Sequence, residues 1–184
     1  ERGREDMASS GQKDDIDVVL TTRELSRMFK QAGLQLQALE SSDYDQIIGH
    51  GSGAGTIFGT SGGVMEAALR TAYHVIEGKE APEDAFTDVR GTEGRKVREF
   101  TLGGATLRTC TVSGLGNAGK LLDELKAGKV HYDFVEVMAC PGGCSGGGGQ
   151  PISIDDEERA EARGQSLYAL DQKMADRKST RLNS

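Results

Sequence analysis

The chain has no tryptophan, three prolines, three cysteines and only 5% aromatic residues in 184 positions. Three cysteines exclude a disulfide scaffold, because a small secreted framework would carry an even and denser set. The lean apolar content, 36% hydrophobic, still suffices for the core of one domain at this length. No apolar run reaches membrane-spanning length, and the amino terminus lacks the apolar core of a signal peptide, so membrane insertion is not expected. Basic residues number 22 against 29 acidic, for a net charge of -7. With no basic block and no interleaving of aromatic with basic residues, nucleic acid is not expected as a partner. So few thiols also suit a reducing compartment, and a cytoplasmic location is expected.

What the chain does have is glycine, 26 of them, and their placement is informative. From Val135 to Pro151 an apolar strand runs into Cys140 and Cys144 and then into Gly146 to Gly149. Two cysteines four apart on a turn or tight loop can turn both sulfurs toward one point, and soft thiolates select iron-sulfur, zinc or Cu(I). Other readings stay open. The two cysteines could form a disulfide, and the glycines could be a linker. A phosphate loop would need Lys-Ser or Lys-Thr where Gln150 and Pro151 stand. Zinc would need two of His50, His74 and His131, none of which shows ligand spacing to the pair. Cys110 falls mid-strand and reads as a buried, inert thiol.

The pattern predicts an α/β fold, with a mostly parallel sheet flanked by helices and one β-hairpin. Ile16 to Thr21 reads as a buried strand, followed by a helix through about Ala32 that ends at Gly33. The glycines at 49, 51, 53 and 55 lead into a second helix from about Thr60 to Ile76, with Ser61 as N-cap. A glycine loop feeding a helix amino terminus is a ready anion or cofactor site. Ala85 to Arg90 reads as a strand. Val97 to Leu102 and Thr106 to Val112 form the hairpin around Gly103 and Gly104. An amphipathic helix spans Leu115 to Ala127, a strand spans Tyr132 to Met138, and a charged helix spans Asp155 to Met174. Ligands of such sheets sit at the carboxyl ends of strands, where Cys140 falls. By pattern alone Met138 and Phe58 are core or cofactor wall, and Glu136 is partly exposed or an acceptor behind the metal ligands.

The segment from Glu136 through Cys140 and Cys144 to Pro151 resembles the third signature motif of the catalytic domain of FeFe-hydrogenases. Asp17 to Leu25 and Ile57 to Arg70 resemble segments of the same family, and the resemblance covers roughly Arg4 to Ser179. It implies one lobe of the two-lobed large-subunit fold and an H-cluster, a 4Fe-4S cubane joined to a di-iron subcluster with CO, cyanide and dithiolate ligands. By motif position, Cys140 would be a cubane ligand, and Cys144 a cubane ligand whose sulfur also bridges to the di-iron unit. Met138 and Phe58 would line the di-iron pocket, with Gly59, Gly62 and Gly63 allowing close backbone approach. The implied reaction is reversible reduction of protons to H2, with ferredoxin or NAD(P)-linked electron-transfer subunits as redox partners and maturation proteins delivering the cluster. Two upstream family motifs, each carrying a cubane cysteine, are absent. The chain therefore reads as the carboxyl-terminal part of the H-cluster domain, its partner being the missing amino-terminal half. Such a fragment is expected to be inactive alone. Residues 180–184 diverge from the family and read as an artefactual tail. The rival class is the hydrogenase-like protein of cytosolic iron-sulfur cluster assembly, which binds clusters without H2 chemistry. Thr21 to Leu25, Phe58 to Gly63 and Gln150-Pro151 look more like the hydrogenases.

Overall fold

The computed structural model describes residues 15–42, 45, 51–152 and 159–177. The chain divides into two compact units, Glu1–Tyr44 with Gly149–Ile154, and Asp45–Gly148 with Asp155–Ser184. In the first, helix α1 spans Thr22–Gln31. It starts there because of a reciprocal capping box. The Thr21 hydroxyl accepts from the Glu24 amide at 3.2 Å, and the Glu24 carboxylate accepts from the Thr21 amide at 2.8 Å. The helix stops before Gly33, as its sequence predicts. The Arg23 amide donates to the carbonyl of Gly149 at 3.0 Å, which ties the end of the glycine run to the helix start.

Ile16 to Thr21, expected as a buried strand, is not one: Val18 and Val19 are 65% and 72% exposed. An apolar run becomes a strand only when an edge is available to pair with, and the described residues of this unit offer none.

The second unit holds a three-stranded sheet in the order β1 (Arg95–Leu102), β2 (Ala105–Ser113), β3 (Phe134–Met138). Around it lie helices α2 (Gly53–Ile57), α3 (Gly63–Glu77), α4 (Leu115–Lys126) and α5 (Ala160–Gln172). Gly103 and Gly104, at φ 56° and 80°, make the primed turn that matches strand twist, so β1 and β2 pair antiparallel. β2 and β3 pair parallel, with α4 as the crossover between them. The sheet is therefore mixed, which corrects the expectation of a mostly parallel one. Ala85 to Arg90 adds no strand either. It forms a 3-10 turn at Thr87–Val89, whose three-residue period buries Phe86 and Val89 together against α3.

The register fixes which residues share a face. Val97, Cys110 and Val135 stand side by side and pack with Val112 against Ala118 and Leu121 of α4. Phe100 and Leu102 have the opposite parity and pack with Met65 and Leu69 of α3. Phe134, Glu136 and Met138 consequently lie on the α3 face of β3. Of the expected charged helix, Asp155 to Met174, residues 155–158 lie outside the described residues, and α5 forms over Ala160–Gln172. Among the described residues no helix is long and apolar enough to cross a membrane.

Candidate metal centre

Strand β3 hands the chain to the cysteine loop at Met138, whose carbonyl accepts from the Gly114 amide at 2.8 Å. Gly142 and Gly143 follow at φ 79° and 77°, two successive left-handed residues that side chains would oppose. They turn the chain into a 3-10 helix, Gly143–Gly146, that carries Cys144. The Gly143 amide donates to the Cys140 carbonyl at 3.0 Å, and the Gly142 amide donates to Ser113 Oγ at 3.0 Å. The loop is thus closed on itself and pinned to the end of β2. Cys140 and Cys144 are exposed, Cys110 is buried, and no disulfide joins them. Burial pushes the Cys110 thiol up, which keeps it protonated and inert.

The second wall comes from far away in the chain. Ser145 donates to the Gly59 carbonyl through both its amide, 2.9 Å, and its hydroxyl, 3.0 Å, while the Ser61 amide donates to the Gly142 carbonyl at 3.3 Å. Backbone meets backbone here. A Cβ on Gly143 would sit 2.9–3.0 Å from Gly59, Thr60 and Ser61 backbone atoms. Phe58 and Gly59 are thereby brought beside the cysteine loop, Phe58 at 43% exposure and Met138 half-buried at the strand end. The space a side chain would fill at Gly59, Gly62 and Gly63 is taken by the chain itself: Leu167, the Val89 carbonyl and the Ile57 carbonyl respectively.

Ser61 does not cap α3. Gly62 occupies that position at φ 89°, and no side chain of its own neighbourhood caps it. The cap is Glu136 of β3, whose two carboxylate oxygens accept from the Gly62 and Met65 amides, each at 2.6 Å. Of the two readings of Glu136, the structure selects the buried acceptor. Burial raises its carboxyl, and the amides of Gly62, Met65 and Val64 oppose that rise.

An ionic network behind this wall is invisible in the linear pattern. Arg70 holds Asp171 of α5 with two bonds, 2.8 and 2.9 Å, and Glu66 with one of 2.5 Å. Arg90 meets the same Glu66 at 2.6 and 2.7 Å and lies 3.9 Å from the ring centroid of Tyr168. The Tyr168 hydroxyl pairs with Thr60 Oγ1 at 2.6 Å, and burial pushes its ionisation up to about 12. Burial would raise Asp171, but Arg70 and Arg177 overcome it and hold its carboxyl below the usual range. The i,i+4 spacing of Glu66 and Arg70 was the one local signal of this network.

His50 lies outside the described residues, and among those described no three His, Cys, Asp or Glu side chains converge as for a metal. What remains is two exposed, soft sulfur donors on a rigid glycine loop at the carboxyl end of a parallel strand. That donor set fits two corners of a thiolate-bound iron centre and leaves the others to groups outside the described residues.

The fold is a mixed α/β layer that presents an exposed cysteine pair on one glycine loop, a candidate site for iron. The chain belongs to the family of the iron only hydrogenase large subunit, C-terminal domain, whose profile matches residues 1–148. It is 43% identical over 166 residues to the periplasmic [Fe] hydrogenase large subunit of Nitratidesulfovibrio vulgaris, covering 90% of this chain and 39% of that protein. Iron hydrogenase 1 of Clostridium pasteurianum is 40% identical over 97% of this chain and 32% of its own length. The mouse cytosolic iron-sulfur assembly component 3 is 34% identical, over 85% of this chain and 34% of its own length. Among solved structures, the FeFe-hydrogenase HydA1 from Chlamydomonas reinhardtii superposes at TM-score 0.63 with 39% identity, over 85% of this chain and 46% of that one. The chain thus spans less than half the length of the curated relatives named here.

Proposed function

We propose that this chain is the carboxyl-terminal part, residues 4–179, of the H-cluster domain of an FeFe-hydrogenase that reversibly reduces protons to H2. The observation that carries the reading is the exposed Cys140 and Cys144 pair, on a loop seated against the Phe58–Ser61 backbone, in a chain 40–43% identical to two hydrogenases. Cys140 and Cys144 would hold the 4Fe-4S cluster, with the Cys144 sulfur shared with the di-iron subcluster and its CO, cyanide and dithiolate ligands. When bound, that group supplies the electron and proton chemistry. The chain's own part is positional. Gly142 and Gly143 turn the loop that carries the two sulfurs, Phe58 and Met138 would line the pocket of the di-iron unit, and the Ser145 and Glu136 bonds hold the two walls together.

Two cysteines do not complete a cubane, so the amino-terminal half of the domain is the first partner. Ferredoxin or NAD(P)-linked subunits would bring electrons, and maturation proteins the di-iron unit. The relatives in cytosolic cluster assembly support a second reading, a cluster-binding protein without H2 chemistry. Their lower identity, 34% against 43%, favours the first. Anaerobic iron-sulfide reconstitution of the isolated chain tests the ligand count. No stable four-cysteine cubane should form, and no H2 should be evolved; a stoichiometric cubane spectrum would refute the shared-site assignment.

A further inference from the structure

Glu136 is 5% exposed, and among the described residues no ion pair reaches it. A buried carboxylate without a counter-ion is costly, and local capping of α3 would not need it, since Asp, Asn or Ser at the N-cap does that work from within the helix. Here the N-cap is Gly62, and the cap arrives from a strand 74 positions along the chain. Both bonds are short and charge-assisted. Their geometric effect is specific. β3 carries Met138 and leads into Cys140, and α3 begins where the Phe58–Gly63 segment ends, so the carboxylate joins the two walls of the candidate site at their inner end. The Ser145 and Ser61 bonds join the same walls through the cysteine loop and do not involve Glu136.

We infer that Glu136 is a positioning residue that sets the spacing between the Phe58–Gly63 wall and the Met138–Cys144 wall by clamping the Gly62 and Met65 amides. The clamp is a matter of geometry; what it positions rests on the hydrogenase reading. Glutamine offers one acceptor where glutamate offers two, so Glu136→Gln keeps one bond and Glu136→Ala keeps none.

The test uses the full-length protein carrying this chain, with both variants. In metal-free protein, amide hydrogen exchange at Gly62 and Met65 should accelerate at least about tenfold in Glu136→Ala, and at one of the two in Glu136→Gln. After cluster loading, bound iron should stay at the wild-type level, because Glu136 is no ligand. The cluster's paramagnetic resonance signature should change, and kcat should fall at unchanged KM for reduced viologen, with partial recovery in the glutamine variant. Unchanged exchange at both amides overturns the inference, as does faster exchange with a wild-type signature and kcat. Should Glu136→Ala fail to fold, Glu136→Gln decides by the same criteria. Absence of H2 from the wild type would refute the hydrogenase reading alone; exchange and the cluster signature would still decide for or against Glu136.

Discussion

Asp171→Ala should be among the most destabilising single changes in the second unit. Its carboxylate is fully buried and accepts four bonds, two from Arg70 at 2.8 and 2.9 Å and two from Arg177 at 2.9 and 3.2 Å. Removing it leaves the Arg70 guanidinium, itself buried, with Glu66 as its one carboxylate partner among the described residues and a longer 3.3 Å bond to the Arg177 carbonyl. Breaking one partner of a buried pair costs about 3–5 kcal/mol. The exposed pair of Arg108 and Glu99, at 3.6 Å with side chains 46% and 61% exposed, is the internal control; losing it costs at most about 1 kcal/mol. With a urea slope of about 2 kcal/mol/M, the midpoint should fall by about 2 M for Asp171→Ala and by under about 0.5 M for Glu99→Ala. The pH dependence has a definite sign. Because Asp171 titrates below its unfolded value, its contribution is fully present above the unfolded carboxyl pKa and is lost as pH falls through the folded one. The measurement is urea unfolding of the metal-free full-length protein at neutral and acid pH, followed by far-UV circular dichroism. Equal midpoint shifts for the two variants would refute the argument, as would an acid sensitivity in Asp171→Ala as steep as in the wild type.

Gly53→Ala should disturb the same network, since its Cβ would fall on the Asp171 carboxylate; combined with Asp171→Ala it should cost less than the sum of the two, read from the same unfolding curves. Gly143→Ala combines a left-handed residue with a Cβ 2.9–3.0 Å from the Gly59–Ser61 backbone. It should undock the cysteine loop and lower the iron bound by the full-length protein, while the equivalent change at open Gly116 should not. In native metal-free protein, iodoacetamide should label Cys140 and Cys144 rapidly and Cys110 only on unfolding, as read by peptide mass spectrometry. Equal labelling of all three would contradict the burial of Cys110.

The elements legible in the sequence were those whose cause is local. The end of α1 ahead of Gly33, the glycine pair turning β1 into β2, and the stop of α4 before Gly128 each have a cause within a few residues. The cysteine loop was legible for the same reason, since ligand spacing and strand direction lie in one stretch. What was not legible depends on partners far along the chain. Whether Ile16 to Thr21 forms a strand is decided by an available edge, and Ala85 to Arg90 by the three-residue spacing of Phe86 and Val89 against α3. Ser61 is the local N-cap candidate for α3, yet Glu136 supplies the cap from β3. Asp171 carries no pattern that marks it as buried, and only its pairing with Arg70 and Arg177 makes burial tolerable, while the half-buried Arg90 is equally unmarked until it meets Glu66.

The role proposed for Cys140 and Cys144 is to hold a hydrogenase centre. It is tested most directly by H2 evolution from reduced methyl viologen by the full-length protein, matured anaerobically, beside its Cys144→Ala variant. The wild type should evolve H2 and the variant none. A full complement of cluster iron without H2 from the wild type, or undiminished H2 from the variant, would contradict it.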